Sequence, residues 1–141
     1  MISEFRLARR VQFHETDAAG LVHFSVFFRY MEEAEHGLWR TAGLSIAPRD
    51  ARIGFPRVAT SFEFLKPLRF EDEFEVTIRI TRISVKSLSY RATIVKDGEV
   101  AAHGVLTVAC VAKEPGQPLR GTPIPADIAD RFSVAPPGED G

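Results

Sequence analysis

Between Phe24 and Ala42 the chain carries one helical stripe, and the patterned stretches around it have period two. At 100° per residue, Phe24, Phe27, Phe28, Met31, Ala34, Leu38 and Ala42 share one broad face. Arg29, Glu32, Glu33, His36 and Arg40 lie opposite or beside it. Ser25 is placed to cap the start of this helix, and Gly43 suits its stop. One residue breaks the pattern: Glu35 falls in the middle of the apolar stripe.

The other segments read as strands. Phe5, Leu7, Val11 and Phe13 alternate with polar residues and predict a strand over 4–14, with Arg9 interrupting its apolar set. Residues 44–56 hold Pro48, Gly54 and Pro56 among charges and predict a loop. Runs over 58–64, 74–81 and 88–94 alternate cleanly. Asp97-Gly98 is a two-residue hairpin signal. Residues 100–112 are apolar on both faces, as in a central strand or one at a subunit interface. Ile128 and Phe132, four apart, predict a short helix over 125–132, and 135–141 predict a frayed tail.

Strand, long helix, four strands is an α+β order. It predicts one domain over residues 1–134, an antiparallel five-stranded sheet wrapped round one long helix that buries the wide stripe. The sheet's outer face is contradictory. Thr77, Arg79 and Thr93 predict water there, whereas Ala101, Val105, Ala109 and Val111 predict cover. A homodimer or homotetramer resolves the conflict.

A length of 141 residues suits a single domain. Eighteen basic against nineteen acidic residues leave a net charge of −1, which counts against a nucleic-acid binder. The one cysteine, Cys110, excludes an intrachain disulfide and a multi-cysteine zinc site. No run approaches 18 apolar residues, so no membrane span is expected. Charges interrupt the N-terminus before any signal-like stretch, and a cytoplasmic setting is expected.

Nucleophile-elbow, phosphate-loop, dinucleotide and zinc-protease motifs are all missing. His14, Glu15, Asp17 and His23 match no metal-ligand spacing. The segment from His14 to Phe28 nevertheless concentrates chemistry. Asp17 lies in a loop before the helix, and Gly20 permits close approach or a positive φ. The amides near Phe24 sit at the helix N-terminus, where N–H groups lack internal partners and the dipole favours negative charge. A carboxylate beside free amides suits acyl transfer; the plain alternative is that Asp17 caps a turn. His23 either orients a water or holds the charge of Asp17, or else bonds backbone at the helix entry.

Val11-x-Phe13-x-x-Thr16-Asp17-Ala18-Ala19-Gly20-x-Val22-His23-Phe24, followed by Phe27-x-x-Tyr30-Met31-Glu32, resembles the hot-dog-fold acyl-CoA thioesterases. The type is that of 4-hydroxybenzoyl-CoA thioesterase and the Tol–Pal-associated enzymes, and the likeness covers about residues 5–112. It implies a hot-dog fold with sites at a subunit interface and acyl-CoA as substrate. Asp17 would be the nucleophile or general base, and the Phe24 amide would polarise the thioester carbonyl. No metal or redox cofactor is implied. Two departures stand out: relatives often have an aromatic residue and then His where this chain has His23 and then Phe24, and often Tyr where it has Phe27. Phe27 and Phe28 are placed to wall an acyl pocket, and Arg57 to meet coenzyme A phosphates. Glu35 lies eleven residues beyond Phe24, about 16 Å along a helix, which points to an ion pair or an interface. The rival readings are a hydratase or dehydratase of acyl thioesters and a non-catalytic acyl-CoA-binding protein.

Overall fold

The computed structural model describes residues 1–137. Five long strands form one antiparallel sheet in the order β1-β4-β5-β6-β3. They are β1 (Glu4–Arg10), β3 (Arg57–Phe64), β4 (Glu73–Ile83), β5 (Ser87–Lys96) and β6 (Glu99–Ala109). Helix α1 (Phe24–Thr41) lies on one face. This is the predicted hot-dog arrangement. Short strands β2 (Ile53–Gly54), β7 (Val111–Ala112) and β8 (Arg120–Gly121) make a second, three-stranded sheet, and α2 (Ala126–Ala129) follows.

The core forms where alternating side chains meet the helix. Phe74, Val76, Ile78 and Ile80 of β4 and Leu88, Tyr90, Ala92 and Ile94 of β5 are buried together with Met31, Ala34 and Leu38 of α1. Small residues stand at the closest approaches. A Cβ on Gly37 of α1 would lie 2.3 Å from the Phe5 ring, and one on Gly104 of β6 would lie 2.5 Å from the Phe62 ring. Register aligns Phe5, Ile78, Ala92, Gly104 and Phe62 across all five strands. The row therefore runs bulky at the edges and small towards β6, where Gly104 leaves room for the Phe62 ring. Asp97 and Gly98, with φ of 52° and 75°, turn β5 into β6 as the hairpin signal predicts.

Several boundaries differ from the sequence reading. The first strand stops at Arg10, and Phe13 begins a 3-10 turn (Phe13–Glu15) that leaves its ring 75% exposed. The cause is Glu15, whose carboxylate accepts from the Gln12 amide at 2.8 Å and pulls the chain out of extension. His23, not Ser25, caps α1: its Nδ1 accepts from the Ser25 amide at 3.2 Å. Phe24 leaves the apolar stripe and is 62% exposed, while Val26, Tyr30 and Trp39 join the core. Gly43, φ 80°, ends the helix with Leu44 N–H donating to Trp39 C=O at 3.0 Å. The predicted loop over 44–56 contains β2. The 100–112 run divides at Cys110, whose carbonyl accepts from Thr122, so that Val111 and Ala112 pair with β2 and β8. The short helix covers only Ala126–Ala129. Of the expected tail, the Ala135 amide donates to Ile80 C=O at 2.8 Å, and 138–141 lie outside the described residues.

Candidate active site

The loop between β1 and α1 closes on itself. Thr16 and Val22 form an antiparallel bridge, Asp17 N–H donates to Leu21 C=O at 2.7 Å, and Gly20 N–H donates to Asp17 C=O at 3.0 Å. Gly20 takes φ 81°, a conformation that glycine adopts without penalty. That turn returns the Leu21 amide to the aspartate. Asp17 Oδ1 accepts from the Ala19 amide at 2.8 Å and the Leu21 amide at 3.2 Å. One oxygen is thus fixed in a side-chain turn. Among the described residues nothing bonds to the other, and the side chain is exposed.

At the start of α1 the amides are shared out. Ser25 N–H goes to the His23 ring and Val26 N–H to the His23 carbonyl at 2.9 Å. Among the described residues no hydrogen bond takes the Phe24 amide, which sits at the positive end of the helix dipole. Asp17 and Phe24 line one pocket of about 350 Å³, together with Leu21, Val22, Phe27 and the 64–67 segment. Its apolar wall is aromatic: the buried Phe27 ring meets Phe64 edge-on at 5.0 Å. The pocket sets a carboxylate and a free amide donor beside an apolar cavity.

The structure thus brings together Asp17, Phe24 and Phe27, with Gly20 shaping the loop. It does not bring in the others. His23 serves as the helix cap, bonded to Ser25 and tilted against the Phe24 ring at 4.6 Å. Phe28 packs on Phe62 at 5.0 Å, outside the pocket lining. Arg57 is engaged elsewhere: it reaches Glu35 at 2.6 and 3.2 Å and Glu32 at 2.9 Å. Glu35, fully buried, holds the ion pair expected of a carboxylate in an apolar stripe.

One buried network escaped the sequence reading. Glu15 is buried directly behind the Asp17 loop and accepts from Tyr30 Oη at 2.8 Å and Arg9 Nη2 at 2.6 Å. Its backbone carbonyl accepts from the His23 amide at 2.9 Å, tying the network to the helix start. The signal was Arg9, an inward position of β1 filled by a cation. Burial raises the Glu15 carboxyl, but the Gln12 amide, the Tyr30 hydroxyl and the Arg9 guanidinium outweigh it and hold its pKa below the ordinary value of 4.5. A depressed carboxyl pKa gives stability that is present above the unfolded value and is lost as pH falls through the folded one. Tyr30→Phe should therefore cost about 1–3 kcal/mol at neutral pH and move the onset of acid unfolding upward. Melting scans between pH 7 and 3 measure both; an unshifted acid limb would remove Tyr30 from the network.

Residues 11–132 match the thioesterase-like superfamily, and the chain belongs to it. It is a hot-dog-fold enzyme of the thioester hydrolase class. A protein of Aquifex aeolicus (strain VF5), provisionally named an esterase, is 34% identical over 110 residues, covering 77% of this chain and 85% of that one. A 1,4-dihydroxy-2-naphthoyl-CoA hydrolase of Parasynechococcus marenigrum (strain WH8102) is 30% identical over 110 residues, 72% of each chain. A solved gentisyl-coenzyme A thioesterase superposes with a TM-score of 0.81 at 29% identity, covering 91% of this chain and 99% of that one. No helix among the described residues is long and apolar enough to cross a membrane.

Proposed function

We propose that this protein hydrolyses an aryl-CoA thioester to the free aromatic acid and coenzyme A. The observation that carries the reading is the pairing, in one aromatic-walled pocket, of the exposed Asp17 carboxylate with the unpartnered Phe24 amide. The thioester carbonyl oxygen accepts from the Phe24 N–H, which strengthens its hold as negative charge develops on that oxygen. Asp17 either attacks the carbonyl carbon or takes a proton from the attacking water. The two backbone bonds on Oδ1 fix the carboxylate at the pocket wall and leave its other oxygen unbonded among the described residues. Collapse of the tetrahedral species expels the thiolate of coenzyme A: on the base route it takes the proton that Asp17 drew from water, and on the nucleophilic route it leaves an acyl–Asp17 anhydride that a water molecule then cleaves, giving its oxygen to the acid and its protons to the two products. Phe24, Phe27 and Phe64 offer faces and edges to an aromatic acyl group. Two relatives named for aromatic acyl-CoA substrates support that choice.

The functional unit is a homo-oligomer with the pocket at the subunit interface. β3 is a sheet edge with its ladder groups unpaired on one side. Phe64 and Leu65 at its end, 47% and 56% exposed, form one side of the pocket. A second copy laid along β3 closes that side and covers the edge.

A thiol-release screen over aromatic, short-chain and long-chain acyl-CoA substrates tests the reading. Fastest release is expected from aromatic thioesters. Hydration of a crotonyl-type thioester without thiol release would favour a hydratase, and saturable binding without turnover a carrier; either result would overturn the proposal.

A further inference from the structure

A second cavity, of about 430 Å³, lies at the other end of the helix. His36, on its wall, stands twelve residues after Phe24, which is about 18 Å along α1. The cavity is built on the small sheet. β2 and β7 pair through Ile53 with Ala112 and Gly54 with Val111, and Lys113 N–H closes the turn by donating to Arg52 C=O at 2.8 Å. Its walls are apolar, chiefly Ile46, Ile53, Phe55 and Leu119, and the lining includes no carboxylate. Its charges are cationic: Arg57 and Lys113.

These two cations differ. Arg57 is committed to Glu35 and Glu32. Lys113, an exposed residue at the cavity rim, makes no ion pair among the described residues. Its methylenes lie across Gly54, where a Cβ would come within 3.1 Å of Lys113 Cδ. The glycine thereby lets the lysine stem run along the cavity edge. An apolar cavity with one uncommitted ammonium selects an apolar body bearing one negative charge. A neutral molecule leaves the ammonium unused, a cation is repelled, and a polyphosphate calls for several uncommitted cations.

We propose that this cavity is a binding site for a small apolar carboxylate, with Lys113 as its anion partner. The site does not depend on the activity proposed for Asp17. If that activity holds, the acid released belongs to the same chemical class, and occupancy rises with product.

The chain carries its own reporter. Trp39 is the sole tryptophan, is buried, and its ring meets Phe55 at 5.0 Å. Titration with octanoate should give a saturable change in tryptophan emission, and 1-octanol a weaker one. Lys113→Ala should weaken octanoate about tenfold, the loss of one charge-assisted bond, and leave octanol unchanged. Lys113→Arg should restore octanoate binding. Asp17→Asn should leave octanoate affinity as it is. The proposal fails if octanoate gives no saturable change, if Lys113→Ala binds it as tightly as the unaltered chain, or if Asp17→Asn abolishes the signal. An emission change on dilution, with none on octanoate, would assign the cavity to a second copy of the chain and equally overturn it. Because the readout is fluorescence, its failure leaves the thiol-release result standing, and the reverse holds.

Discussion

Asp17→Asn is expected to lower turnover of the preferred acyl-CoA by about a thousandfold or more, within the range ascribed to removal of a positioned general base, while leaving the fold unchanged. The asparagine side-chain carbonyl can still accept from the Ala19 and Leu21 amides, so the loop keeps its turn. The side chain is exposed and supports no core contact, so Tm should stay within the small range of ordinary surface substitutions. What disappears is the unbonded carboxylate oxygen, since an amide is neither a competent nucleophile nor a base at neutral pH. On the proposed reading the loss should therefore fall on kcat, with KM nearly constant, because the pocket walls of Phe24, Phe27 and Phe64 are unchanged. Steady-state kinetics beside a thermal melt decide the matter. Full turnover in Asp17→Asn would leave the aspartate a turn-capping residue, the plain alternative its spacing always allowed.

The reach of sequence reasoning here follows the range of the forces involved. β4 was legible because it buries one face: Val76, Ile78 and Ile80 alternate with partly exposed partners, and period two needs no knowledge of neighbours; β5 keeps that period except at Thr93, expected to meet water but buried. The Asp17–Phe24 pair was legible because both residues lie within one short loop and one helix end. The Glu15 network was not, since it joins Arg9 of β1, a turn and Tyr30 of α1, which only the closed fold brings together. Yet its trace was visible in Arg9 at an apolar register. The expected cap is Ser25 because serine is the commoner cap; instead the His23 ring nitrogen accepts from the Ser25 amide, the backbone-bonding role at the helix entry that its position left open. The β2-β7-β8 sheet was illegible for a simpler reason, that two-residue strands carry no period. Cys110 is fully buried, and burial pushes its pKa up, away from the reactive thiolate.

Arg57→Ala is expected to be the most destabilising single change at a partly exposed position of this chain. Glu35 is fully buried on α1, and the arginine fork supplies two charge-assisted bonds to it. Burial alone would lower the Arg57 pKa, but Glu35 and Glu32 outweigh it and hold it above the ordinary value. Tyr90, whose hydroxyl burial and the charge of Glu35 push well above its usual pKa, stays a donor toward the same carboxylate and accepts from Trp39 Nε1 at 2.9 Å. Truncating the arginine strands a charge inside a helix–sheet interface. Breaking a buried pair in this way costs about 3–5 kcal/mol, or roughly 10–15 °C in Tm for a chain of this size. Glu35→Gln should cost less, because the amide oxygen still accepts and no charge is left uncompensated. Replacing both partners by apolar residues, Glu35→Met with Arg57→Met, should recover most of the loss. Thermal melts of the three variants test this ordering, and a loss under about 1 kcal/mol in Arg57→Ala would reduce the pair to an ordinary surface bridge. Turnover at a temperature where each variant is folded should persist, since Glu35 stands about 16 Å along the helix from Phe24. If Glu35→Gln abolished turnover with Tm and mass unchanged, Glu35 would belong to the chemistry.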